Sequence, residues 1–130
     1  MTTLHKILAV LLILLFAGGV VLRHCEHAGP GGPLTAVVVE DSAHRTPAIA
    51  AVLTAPEVLA AVNKYNIAWH VVDQAETGPD LAEVQFAIEG TKNKPLPALV
   101  LRTGAGKPKI SPLPTSAASM AATLRAAAGG

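Results

Sequence analysis

Asp41, Ser42, His44 and Arg45 stand within five positions of one another and form the chain's most obvious cluster of reactive side-chain types. An aspartate, a serine and a histidine are the ingredients of an activated hydroxyl nucleophile, in which the imidazole takes the hydroxyl proton and the carboxylate orients the ring. Adjacency in sequence is not relay geometry, however, and a serine just ahead of a helix commonly serves as a cap or turn residue. The neighbouring carboxylates Glu40 and Asp41 are of the type that acid and base catalysis uses, but successive strand residues point to opposite faces. A second cluster, His24-Cys25-Glu26-His27, offers imidazole and thiolate ligands that His44 or His70 would have to complete. Structural zinc sites are built from two separated ligand pairs, and only one compact group is present, so this stretch reads as a solvated segment. Arg102-Thr103-Gly104-Ala105-Gly106-Lys107-Pro108 has the composition of a phosphate loop. Leu101 stands where its first glycine belongs, Pro108 replaces the hydroxyl residue, and no helix follows. No cofactor is therefore expected, and no resident metal.

Cysteine usage excludes more. Cys25 is the only cysteine, which rules out an intrachain disulfide, a CxxC redox pair and a multi-cysteine zinc site. Arg23 and His24 occupy positions where a lipoprotein signal requires small uncharged residues, so lipidation of Cys25 is not expected. An unpaired cysteine in an exported chain can pair with a second molecule, and a dimer through Cys25 is the corresponding expectation.

The elements that must position these residues begin with an unbroken apolar run from Ile7 to Leu22, bracketed by Lys6 and Arg23. Sixteen residues at a helical rise of about 1.5 Å span roughly 24 Å, slightly short of a hydrocarbon core of about 30 Å. The flanking cations can snorkel to the headgroups and close the deficit. The run reads as a signal anchor that contacts membrane lipid directly. The alternative is a cleaved signal peptide, for which Ala17 and Gly19 supply the small residues. Default insertion of a single-pass chain places the following domain outside the cytoplasm, in the periplasm if the cell is bacterial. Residues 1–23 are thus the anchor or signal, residues 24–33 a linker rich in glycine and proline, and residues 34–130 a single domain.

That domain holds few aromatics, so its core must be built from Val, Leu, Ile and Ala. The formal net charge of the chain is +1, which offers no strong attraction for nucleic acid. Its distribution is uneven. From Leu34 to Glu89 eight acids face only Arg45 and Lys64, whereas from Gly90 onward there are six cations and no acid. Folding is expected to interleave the halves into ordinary surface pairs; the alternative is a basic edge against anionic lipid or an acidic partner.

Leu34 to Glu40, centred on Val37-Val38-Val39, is a continuous β-branched run suited to a buried parallel strand. Thr46-Pro47 starts a helix with threonine as cap and proline in the first turn, and Ile49, Val52 and Leu53 form its apolar stripe. Thr54-Ala55-Pro56-Glu57 reads as a second capping box, where the helix breaks and resumes. Trp69 to Asp73 is a second strand. Gly78-Pro79-Asp80 opens a second helix with Leu81, Val84 and Ile88 on one face. Ala98 to Leu101 is a third strand, Gly104 to Gly106 turn it back, and Lys109-Ile110-Ser111 is a fourth. Thr115 or Ser116 caps a last helix carrying Met120 and Leu124.

This β-α-β-α-β-β-α order, with a proline directly before the third strand, resembles the α/β thioredoxin-like fold over about Leu34 to Ala128. Leu96-Pro97-Ala98-Leu99-Val100-Leu101 is similar to that family's cis-proline and central strand. Where the family carries CxxC, this chain reads Glu40-Asp41-Ser42-Ala43-His44-Arg45-Thr46-Pro47, without sulfur. A serine hydroxyl cannot replace a thiolate in disulfide exchange, so the resemblance implies the scaffold without its usual reaction. It also places a binding site for a protein or peptide at Ser42, His44 and Arg45 beside Leu96 and Pro97, where backbone groups near a cis-proline can pair with an extended peptide. The expected function is a membrane-anchored, redox-inactive binding or scaffold module. The alternatives are a small enzyme using the Ser42 to Arg45 turn, or a juxtamembrane metal or thiol sensor at His24 to His27.

Overall fold

A computed structural model of the protein describes residues 32–129. The apolar run, Cys25 and the His24 to His27 cluster lie outside those residues. Among the described residues no helix is long and apolar enough to cross a membrane, and no group of histidine, cysteine or carboxylate side chains could hold a metal ion.

Strand β1 (Leu34–Glu40) is the spine of the domain. It pairs in parallel with β2 (Ala68–Asp73) and antiparallel with β3 (Ala98–Thr103), which pairs antiparallel with β4 (Lys109–Pro112). The result is one mixed sheet in the order β2-β1-β3-β4. Helices α1 (Pro47–Thr54), α2 (Pro56–Lys64), α3 (Gln85–Gly90) and α4 (Ala117–Ala127) complete an α/β domain.

The apolar run in β1 is continuous because both faces of the sheet are covered. Ala36 and Val38 point to one side and join Leu99 and Leu101 of β3 under α1, α2 and α4, with Val52, Val58, Met120 and Leu124 contributed by the helices. Val37 and Val39 point to the other side, where they meet Val72, Val100 and, from α3 and the residue before it, Ala87, Ile88 and Val84. One layer therefore rests on three helices and the other on one helix of six residues.

The chain between elements follows local rules. Thr46 caps α1 by accepting from the Ile49 amide at 3.2 Å, and Ser116 caps α4 by accepting from Ser119 at 3.1 Å. Helix α2 closes with Asn66 in the left-handed region at φ 51°. The Ile67 amide reaches back to the Val62 carbonyl at 2.9 Å and the Asn66 amide to Asn63 at 3.3 Å. This is a Schellman closure that buries Ile67 and aims the chain into β2. The β3–β4 turn uses Gly104 at φ 56°, and the Gly106 amide donates to the Thr103 carbonyl at 3.0 Å. The Leu96–Pro97 peptide is cis.

Three expectations are corrected. Thr54 does not cap α2: its hydroxyl donates back to the Ala50 carbonyl at 2.8 Å, and the cap residue Ala55 supplies no side-chain bond. Pro56, with φ preset and no amide to satisfy, starts the helix without a threonine. The segment after Gly78 is not one helix but a 3-10 turn, Pro79–Leu81, followed by α3 from Gln85. Gly78 has no side chain to cap a longer helix, although Leu81, Val84 and Ile88 still pack into one cluster. Finally, among the described residues the acidic and basic halves are not interleaved into ion pairs. Among the described residues the ion pairs are Arg45 with Glu40 and His44 with Asp41, and none joins the two halves. The antiparallel return of β3 is the reason. It carries the β3–β4 hairpin to the end of the sheet where β1 begins, while Glu40, Asp41, Asp73 and Glu76 stand where β1 and β2 end.

Candidate functional site

Where β1 ends, a 3-10 turn at Ser42–His44 hands the chain to α1. Three carboxylates hold it. Glu40 is almost wholly buried and receives the Arg45 guanidinium through two hydrogen bonds, one from Nε to Oε2 at 3.0 Å and one from the terminal nitrogen to Oε1. That hydrogen bonding, with the charge of Glu40, raises the Arg45 pKa above its ordinary value. Asp41 caps the turn by accepting from the Ala43 amide at 3.2 Å and from His44 Nδ1 at 2.6 Å. Asp73, the last residue of β2, accepts from the Ser42 amide at 2.8 Å and from the Ser42 hydroxyl, while its other oxygen accepts from Ala75 at 2.7 Å. The Ser42 hydroxyl is the largest cause, ahead of the two backbone amides, of an Asp73 pKa below the usual carboxylate value.

Ser42 directs its proton to Asp73, the carboxylate of the neighbouring strand. His44 is bonded to Asp41 rather than to Ser42, and Arg45 is committed to Glu40. The serine, histidine and aspartate are not arranged as a relay.

Leu96 and Pro97 lie elsewhere at the same end of the sheet, on one wall of an open groove of about 400 Å³. The facing wall is the start of α1, with Thr46, Ala48, Ile49 and Val52. Pro112, the last residue of β4, and Leu113 to Thr115 after it complete the lining. Ser42, His44 and Arg45 do not line the groove; they fix the turn that delivers Thr46 and α1 to it. The Pro97 carbonyl is occupied by the Leu113 amide at 3.1 Å. Neither the amide nor the carbonyl of Leu96 is hydrogen-bonded to any described residue, which leaves one donor and one acceptor at the groove's edge. Sequence reasoning missed Ala48, Ile49 and the Pro112-Leu113-Pro114 segment. The signal available was that segment's two prolines, which end the β4 ladder and leave the chain free to follow the groove. Searched against models of known protein families and against curated proteins, the chain matches none.

Proposed function

We propose that this chain is a membrane-anchored, redox-inactive binding module of thioredoxin-like fold, held outside the cytoplasm by Ile7 to Leu22, that takes an extended peptide into the groove between α1 and Leu96. The strand order β2-β1-β3-β4, with parallel β1 and β2 and helices divided between the faces, supports the fold reading. The absence of any cysteine after Cys25 supports the loss of thiol chemistry. The observation that carries the binding reading is Leu96. Its unpaired amide and carbonyl can exchange one pair of backbone hydrogen bonds with an extended peptide, while Ile49, Val52 and Leu113 offer apolar contacts for its side chains.

The test is selection of a displayed random-peptide library on the intact chain in lipid nanodiscs, with empty nanodiscs as the subtraction. Extended peptides with apolar anchors should be enriched. Ala48→Trp, an exposed position on the groove wall, should fill the groove and abolish capture while leaving the melting temperature within a few degrees. Enrichment that Ala48→Trp does not reduce would place binding elsewhere and overturn the reading.

A further inference from the structure

The six cations after Gly90 have no acidic partner among the described residues, and the fold sorts them by position. Lys109 pairs in register with Leu101, which pairs with Ala36 near the start of β1. Lys107 and Lys109 border an open cleft of about 520 Å³ together with Leu34, Thr123 and Ala126, so the last turn of α4, which carries Arg125, lies at this pole too. Lys64 ends α2 just before β2, whose first residue, Ala68, pairs with Thr35. All four side chains, Lys64, Lys107, Lys109 and Arg125, are exposed. Arg102 is at the same end but half-buried, its guanidinium stacked 4.7 Å from the Phe86 ring, with Glu83 across a neighbouring cleft.

The chain also enters the domain here. The Pro33 carbonyl accepts from the Gly104 amide at 2.9 Å, tying the first residues of the domain to the β3–β4 turn. The groove is at the other pole, since Ala98, next to Pro97, pairs with Val39 and Pro112.

We propose that the exposed cations Lys64, Lys107, Lys109 and Arg125 form a docking surface for anionic lipid headgroups, which turns the peptide groove away from the bilayer. The proposal rests on the anchor reading of Ile7 to Leu22. Only ten residues separate Leu22 from Pro33. A random-coil chain of that length and glycine content has an r.m.s. span of roughly 16–19 Å. On the anchor reading that tether limits how far this pole can leave the headgroups, and its cations are attracted wherever it comes within a Debye length, about 8 Å, of them. Each basic side chain near an anionic surface gains about fivefold in partition. An acidic protein offers the same charge but lacks this tethered proximity, which is why lipid is the stated partner.

The experiment is lysine footprinting of the full chain with a water-soluble acylating reagent, read by mass spectrometry, in phosphatidylcholine vesicles with and without about one-third phosphatidylglycerol. Lys107 and Lys109 should react at least threefold more slowly in the anionic vesicles, and half-molar salt should abolish the difference. Lys92 and Lys94, in the exposed loop leading to Leu96, are the internal control and should react equally in both. Lys107→Glu/Lys109→Glu should remove the protection of Lys64. Equal rates for Lys107 and Lys109 in a chain that floats with both vesicles overturn the docking surface and leave the anchor intact. A chain that floats with neither overturns the anchor, and the docking with it. Stronger protection by soluble polyglutamate than by the anionic vesicles assigns the surface to an acidic protein and overturns lipid.

Discussion

Leu99 and Val100 are consecutive residues in the middle of β3, both completely buried, and they face opposite layers. Replacing each by alanine measures how differently the two layers are closed. Leu99→Ala deletes three carbons from the layer under α1, α2 and α4, a transfer loss of about 2.4 kcal/mol at about 0.8 per carbon. Its backbone is fixed between Val38 on β1 and Ser111 on β4, so the sheet cannot fold into the space, and three helices would have to shift together. The cavity should persist and bring the total to about 3–5 kcal/mol. Val100→Ala deletes two carbons, about 1.6 kcal/mol of transfer, beneath α3 alone. That six-residue helix can settle toward the gap, so the total should stay near about 1.5–2.5 kcal/mol. For a domain of this size the two variants should melt about 15–25 °C and about 7–12 °C below the parent. The assay is urea unfolding of the domain from Pro33 onward, followed by far-UV circular dichroism and by fluorescence of Trp69. Trp69 is the chain's one tryptophan and packs against the Leu99 layer. Comparable slopes in urea would confirm that stability rather than the unfolded state has changed. Equal losses for the two variants would refute the asymmetry. A loss below the bare transfer value for Leu99→Ala would refute its placement in a closed layer.

Further outcomes follow from single contacts. Because the Asp73 pKa is lowered in the folded state by the Ser42 hydroxyl and two amides, its contribution is fully present above the ordinary aspartate range and is lost as pH falls through the lowered value. Asp73→Asn should be less stable than the parent at pH 7, and the two stabilities should converge in acid; parallel curves down to pH 2 would contradict the assignment. A Cβ on Gly90 would come within 3.0 Å of the Ile110 Cδ1 methyl, while alanine in a helix gains about 1 kcal/mol over glycine. Gly90→Ala should therefore be nearly neutral alone and stabilising by about 0.5–1 kcal/mol once Ile110→Val removes that methyl, in a double-mutant cycle of denaturation curves. The domain from Pro33 onward has no thiol, so it should show no disulfide reductase activity and an identical melting temperature with and without dithiothreitol; a reductant-dependent shift would contradict the argument.

The strands and the caps at Thr46 and Ser116 were legible because each rests on local chemistry. A β-branched run makes a buried strand, and a hydroxyl ahead of an apolar periodic segment makes a cap. The two failures inside the domain are also local. Thr54-Ala55-Pro56-Glu57 has the letters of a capping box, but a hydroxyl at the end of one helix can bond back to its own turn, and Ala50 offered that acceptor first. Leu81, Val84 and Ile88 keep helical spacing across a chain that is not continuously helical, because a 3-10 turn followed by an α-turn presents the same side chains to the same layer. The charge sorting was not legible at all. Whether six cations meet eight acids depends on which ends of the strands coincide, and only the sheet register decides that.

The candidate site shows the same limit in a sharper form. Asp41, Ser42, His44 and Arg45 drew attention because their functional groups can do chemistry, and the fold uses those groups to hold one turn. Glu40 fixes Arg45, Asp41 fixes His44 and the Ala43 amide, and Asp73 fixes Ser42 from the neighbouring strand. Each carboxylate of that set accepts from a group of the turn or from Arg45, and the serine's proton is directed to Asp73 rather than to His44. What the clamped turn delivers is position: Thr46 and the first turn of α1 are held opposite Leu96, across a groove lined by alanine, isoleucine, proline and leucine. Those residue types carry no reactive group and no spacing signature, so a search for chemistry passes over them. A surface that binds through backbone pairing and apolar contact leaves its trace in unpaired amides and in the facing of elements distant in sequence. On the proposed reading that trace is Leu96, whose amide and carbonyl bond to no described backbone group and which stands between two prolines that have no amide of their own.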